Sequence, residues 1–137
     1  MSIQDAVEVP FRTVDHGNAA NDVDGGLFFL RSQEAWAAEW RTLNAWHAEP
    51  PLPAVDWAPD MVALLVCGTR PSGGYGVTIE SIANDGTSIE VRAVEHRPGR
   101  GAETPAVLTN PLHAVAIAAH DGAERLVLRI EYHHFEP

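Results

Sequence analysis

The stretch GTRPSGGYG (residues 68–76) concentrates four glycines, a proline, an arginine and a tyrosine directly after the apolar run MVALLVC (61–67). Such a segment can cradle an anion, expose a nucleophile, form a recognition loop or turn the chain. It is neither a dinucleotide-binding GxGxxG nor a Walker-type phosphate loop, and Ser72 is not in the GxSxG context of a nucleophile elbow. Arg70 shares its Gly/Pro-rich character with Arg97 and Arg100 in the loop 96–111. If one sheet edge carries both loops, these arginines could grip a carboxylate or another anion through bidentate contacts; otherwise they are solvated loop arginines paired with nearby acids. Pro71, Ser72, Gly73, Gly74 and Tyr75 complete the candidate binding loop. Its glycines allow positive φ, Pro71 stiffens it, and Tyr75 brings a large ring with a hydroxyl that needs a partner. The same composition also suits a stiff turn between strands.

Other chemistry is sparse. The chain has no lysine, so Schiff bases, Ser–Lys dyads and a phosphate-loop lysine are excluded. DVDGG (22–26) lacks the remaining ligands of a calcium loop and reads as a turn. His133 and His134 are sequence neighbours, which in a strand point to opposite faces, so the pair is a poor chelate. His113 and His120 have no assignable role. No metal, cofactor or catalytic residue is expected. The single cysteine, Cys67, ends the apolar run and reads as a small buried hydrophobe.

The net charge of −10 disfavours nucleic acid and anionic membrane surfaces. The acidic N-terminus does not read as a signal peptide, and no apolar run reaches the length of a membrane span. A cytoplasmic, soluble protein is the expectation. At 137 residues the chain fits a single domain (1–137), with residues 1–26 partly irregular.

The elements that must position the loops follow from periodicity. Trp36, Trp40, Leu43 and His47 are spaced four, three and four apart, which predicts a helix over 32–47 with Ser32 as its N-cap and Trp46 beside the stripe. VPFRTV (9–14) reads as a short strand, 15–26 as a loop, and LFFL (27–30) as a buried strand. Four prolines make 48–59 an extended crossing segment. MVALLVC shows no alternation and reads as a central strand buried on both faces. YGVTIESI (75–82) and SIEVRAVE (88–95) alternate and flank NDG (84–86), a hairpin signal. LHAVAIAA (112–119) and RLVLRIEY (125–132) read as a second pair around HDGA (120–123). The expected fold is mainly β, an antiparallel sheet forming a sandwich or partial barrel, with one packed helix. Trp36, Trp40, Leu43, Val62, Leu64, Val66, Val77, Ile79, Val91, Leu126 and Leu128 are expected in the core.

Residues 55–82, VDWAPDMVALLVCGTRPSGGYGVTIESI, resemble the PrcB C-terminal domain family. The matching positions are Val55, Asp56, Trp57, Gly68, Arg70, Pro71, Ser72, Gly73, Gly74, Tyr75 and Val77. The aromatic helix Ser32–Leu43 before them and LTNPLHAVAI (108–117) after them are similar to the family pattern, so the resemblance spans roughly 27–130. The family is named for a subunit associated with a protease complex. The resemblance therefore implies a non-catalytic protein-binding or assembly module with a protein partner, a protease among the candidates. A looser likeness to chagasin-type inhibitors, which present Gly/Pro/aromatic loops from a small β-fold, adds an inhibitor-like reading. Two alternatives stand beside it: a small-ligand binder or small enzyme with a pocket between loops 68–76 and 96–111, and a structural subunit of a homo-oligomer.

Overall fold

The computed structural model describes residues 6–19, 23–44 and 50–133. Eight strands and one helix follow in the order β1 (Val7–Glu8), β2 (Arg12–Asn18), β3 (Gly26–Leu30), α1 (Gln33–Leu43), β4 (Asp60–Val66), β5 (Gly76–Asn84), β6 (Ser88–Pro98), β7 (Pro111–Ala118) and β8 (Ala123–His133). They form two four-stranded sheets, β1-β5-β6-β8 and β2-β7-β4-β3, packed as a sandwich. The mainly-β expectation holds, and the described strands do not close into a barrel.

The unalternating run 61–66 is explained by two cores. Met61, Ala63 and Leu65 face the first sheet and pack with Val77, Ile79, Ile82, Ile89, Val91, Val115 and Ile117. Val62, Leu64 and Val66 face the other way and pack with Trp36, Trp40, Leu43, Leu112 and Ala114. A strand sandwiched between a sheet and a helix is apolar at every position because neither face meets water. β4 is accordingly central, between β3 and β7.

Helix α1 begins at Ser32, whose hydroxyl accepts the Ala35 amide at 3.1 Å. It ends at Asn44, whose side-chain amide donates to the Trp40 carbonyl at 2.8 Å. The indoles Trp36 and Trp40 are buried, and their Nε1 groups donate to the Pro53 and Pro50 carbonyls. The proline-rich segment thus satisfies the two polar groups that the indole stripe carries into the core. The expected continuation through Trp46 and His47 lies outside the described residues.

The hairpin forms at 84–88. Gly86 takes φ +95°, and the Asp85 carboxylate accepts from the Thr87 and Ser88 amides at 2.9 and 2.7 Å. Those bonds hold its pKa well below the usual carboxylate range.

Three expectations need correction. Residues 15–18 are not loop but the second half of β2, pairing with β7 through His16↔His113 and Gly17↔Leu112. Tertiary pairing overrides their turn-like composition. Strands β7 and β8 do not form a pair. Both edges of β7 are taken by β2 and β4, so the chain crosses at 119–122 to the other sheet, where β8 joins β6 in parallel. Leu126 and Leu128 are therefore not core residues. They are 38% and 43% exposed on an edge strand.

Candidate functional site

The loop 68–76 is braced on the loop 99–110. Arg70 and Thr109 exchange backbone hydrogen bonds at 2.6 and 3.0 Å. The Gly73 amide donates to the Pro105 carbonyl at 2.9 Å, and the Thr109 hydroxyl donates to the Ser72 carbonyl at 2.7 Å. Gly68 and Gly74 have φ of +88° and +87°, as glycine permits. Gly73 and Gly76, which were expected to share that conformation, are not among the positive-φ glycines. Gly73 is instead required by proximity, since a Cβ there would sit 2.9 Å from Pro105. The space proposed for a ligand between the two loops is thus bridged by their own contacts.

Arg70 and Arg97 do meet, on a buried carboxylate that the sequence did not single out. Glu95 is 1% exposed. Arg70 Nε and Nη2 donate to its Oε2 and Oε1 at 2.8 and 2.9 Å, and Arg97 Nε donates to Oε2 at 3.0 Å. The Arg70 hydrogen bond is the main cause of a Glu95 pKa below its ordinary value, opposing the effect of burial. Two cations around one desolvated carboxylate make a stable internal knot. Arg97 is in register with Tyr132 of β8, whose side chain adds to the Glu95 carboxylate in raising the Arg97 pKa. Arg100 lies exposed on the turn 99–102 and does not join the cluster. Pro71 and Gly74 are exposed, Ser72 and Tyr75 half-buried. Cys67, near the same knot, has its thiol pushed up to about 11, first by burial and then by the Glu95 charge.

His113, unplaced in the sequence, is buried in the inter-sheet region. Its Nδ1 accepts the Ile79 amide at 2.8 Å, which leaves Nε2–H to donate to Thr13 Oγ1 at 2.8 Å. The His16 ring stacks on it at 3.9 Å and reaches the Val77 carbonyl. These contacts tie β2 and β7 to β5, across the sandwich.

β8 is exposed along its whole length. It runs in unbroken parallel register with β6, Ser88↔Ala123 through Pro98↔His133, and its other edge carries no strand among the described residues. Leu126, Leu128 and Ile130 pair with Val91, Ala93 and Glu95, so they extend the inward face of the sheet beyond its cover. Ile130 is 44% exposed and Tyr132 57%. Val127, on the opposite face, is also exposed.

This arrangement defines a two-sheet β sandwich with a helix on one outer face, a braced Gly-rich loop and one long edge strand that no described strand covers. The PrcB C-terminal family model matches residues 61–118, from β4 through β7, and it is the family that the sequence resembles. The matched span contains the loop 68–76 and Glu95, while β8 falls beyond it. Neither the curated proteins nor the solved structures give a match. Among the described residues no helix is long and apolar enough to cross a membrane.

Proposed function

We propose that the chain is a non-catalytic protein-binding module that takes a partner strand on the outer edge of β8. The observation carrying this reading is that β8 is long and regular and has no strand on its outer edge among the described residues. Exposed edges offer unpaired N–H and C=O groups to any extended chain, and folded proteins usually blunt them by shortness, proline or bulges. β1 has two residues, and β2 carries a bulge between Thr13 and Asp15. β8 has eleven residues without glycine, proline or bulge, and lines its inward face with Leu126, Leu128 and Ile130. Main-chain pairing with alternate side chains in apolar contact is the physics of strand addition. The braced loop 68–76, with Arg70, Pro71, Ser72, Gly73, Gly74 and Tyr75, serves as a rigid flank. Arg97, which shares Glu95 with Arg70, stands in register with Tyr132 near the end of β8. The family likeness supports a protease-complex component as the partner class.

A second reading, the homo-oligomer, is favoured by the sequence of β8 itself. Two copies paired antiparallel about Leu128 place Leu128 against Leu128, Leu126 against Ile130, and Arg125 against Glu131. Shifting the centre to Val127 or Arg129 sets arginine against arginine. Light scattering of the chain, and capture of partners from the native lysate, test both readings with Leu128→Arg beside Arg100→Ala. Leu128→Arg removes dimer or partner while leaving the fold intact, and Arg100→Ala changes neither. Undiminished association in Leu128→Arg contradicts the edge as the docking element.

A further inference from the structure

We infer that His96, Glu131 and His133 form a binding site for a divalent transition-metal ion of the zinc type on the outer face of the first sheet. The two histidines come from adjacent parallel strands. His96 on β6 is in register with Glu131 on β8, and His133 follows two residues later. Residues two apart in a strand share a face, so all three side chains converge. One ligand atom from each residue lies within 4.8 Å of the others. His96 Nδ1 is 2.8 Å from His133 Nε2, and Glu131 Oε1 is 3.7 Å from that same nitrogen.

The groups behind these ligands orient them. Thr78 Oγ1 lies 3.2 Å from His96 Nε2; in the tautomer that carries the proton on Nε2 it accepts that proton and leaves the Nδ1 lone pair aimed at the cluster. Arg129 Nη1 holds the far oxygen of Glu131, Oε2, at 2.7 Å, which turns Oε1 toward the imidazoles. The His133 carbonyl accepts the Gly99 amide at 2.7 Å, fixing the backbone that carries the second ring. Outer partners of this kind set the tautomer and direction of metal ligands.

Two imidazoles and one carboxylate are the donor set of zinc sites that retain an open position, and imidazole selects zinc, cobalt or nickel over calcium and magnesium. Tetrahedral coordination with Zn–N bonds of about 2.0–2.1 Å asks the two nitrogens, now 2.8 Å apart, to separate by about half an ångström. The site joins β6 to the C-terminal end of β8. A bound ion would clip that end of the edge strand to the sheet, acting where, among the described residues, only β6 pairs with it.

Calorimetric titration of the full chain with zinc chloride tests the site, together with the visible ligand-field spectrum of the cobalt form. One ion per chain is expected, with a cobalt spectrum of low-symmetry, four-coordinate type. His96→Ala and His133→Ala should abolish the spectrum, Glu131→Gln should weaken binding by about tenfold or more, and His120→Ala should leave it unchanged. Circular dichroism of each variant establishes that it is folded. Absence of zinc binding by the folded chain overturns the proposal. So does binding that survives His96→Ala, because the ion would then sit on the C-terminal histidines without the cross-strand ligand.

Discussion

The Glu95 carboxylate receives Arg70 through two parallel hydrogen bonds, 2.8 and 2.9 Å, at a point where Glu95 itself is out of contact with water. The pair links the Gly-rich loop to the C-terminal half of β6, 25 residues away. Arg70 is thereby an anchor for the loop, and its guanidinium is occupied by the protein's own acid.

Removing that anchor strands a buried charge. Arg70→Ala should destabilise the fold by about 3 kcal/mol, because Arg97 alone cannot replace the bidentate contact. Arg70→Met combined with Glu95→Leu should recover much of the loss, since no uncompensated carboxylate remains. Urea denaturation of the two variants measures this. A stability of Arg70→Ala equal to wild type would show that the knot is not formed in solution.

Glycine substitutions separate backbone strain from open space. Gly74→Ala combines φ +87° with a Cβ 2.8 Å from Thr104 Cγ2, and should cost on the order of 1–2 kcal/mol. Gly17, with nothing within 4 Å of a new Cβ and no positive φ, should accept alanine at little cost. Thermal melts that fail to rank the two in this order would contradict the loop geometry.

Much of the scaffold was legible in the residues. The Trp36–Trp40–Leu43 spacing gave a helix with the right cap, the unbroken apolar run 61–66 gave a central strand, and NDG gave the hairpin. The edge strand was misread because alternation in RLVLRIEY looks the same whether its apolar face is covered or bare. Composition carries no information on which sheet a strand joins, so the parallel β6–β8 pairing was hidden. In the site, Arg70 and Arg97 were seen, but their partner Glu95 was not, since it lies inside an alternating strand and in sequence resembles any solvated glutamate. The histidine cluster is hidden in the sequence, where His133 stands beside His134 while His96 lies 37 residues away. The relevant spacing was Glu131 to His133, completed across strands by His96, and only register reveals that.

Burial of His113 gives the fold an acid-side dependence. Desolvation, helped by the neighbouring His16, lowers its pKa from 6.5 to about 4. Between those values the unfolded chain binds the proton and the folded chain does not. The stability contribution is fully present above pH 6.5 and is lost as pH falls towards 4, by at most about 3 kcal/mol. Denaturation curves across that range should show a shallower decline in His113→Leu than in wild type. An unchanged slope would mean that His113 is solvated.

Cys67 should be chemically quiet. With its thiol pushed up to about 11 from an ordinary 9.0, the thiolate fraction near neutral pH falls roughly 100-fold. Reaction with a disulfide reagent should be slow in the native protein and fast in urea. Equal rates would place the residue in an open environment.

The central claim is that the outer edge of β8 is where a partner chain adds. A photo-crosslinking residue at position 127, whose side chain is exposed on the opposite face from Leu128, reports directly on whatever lies beside that strand. The same residue at the exposed position 118 of β7 serves as the control. The account predicts a discrete covalent adduct from position 127, with a second copy of the chain or with one captured partner, and its loss when Leu128→Arg is added. No adduct at 127, an equal yield from 118, or an adduct indifferent to Leu128→Arg would contradict it.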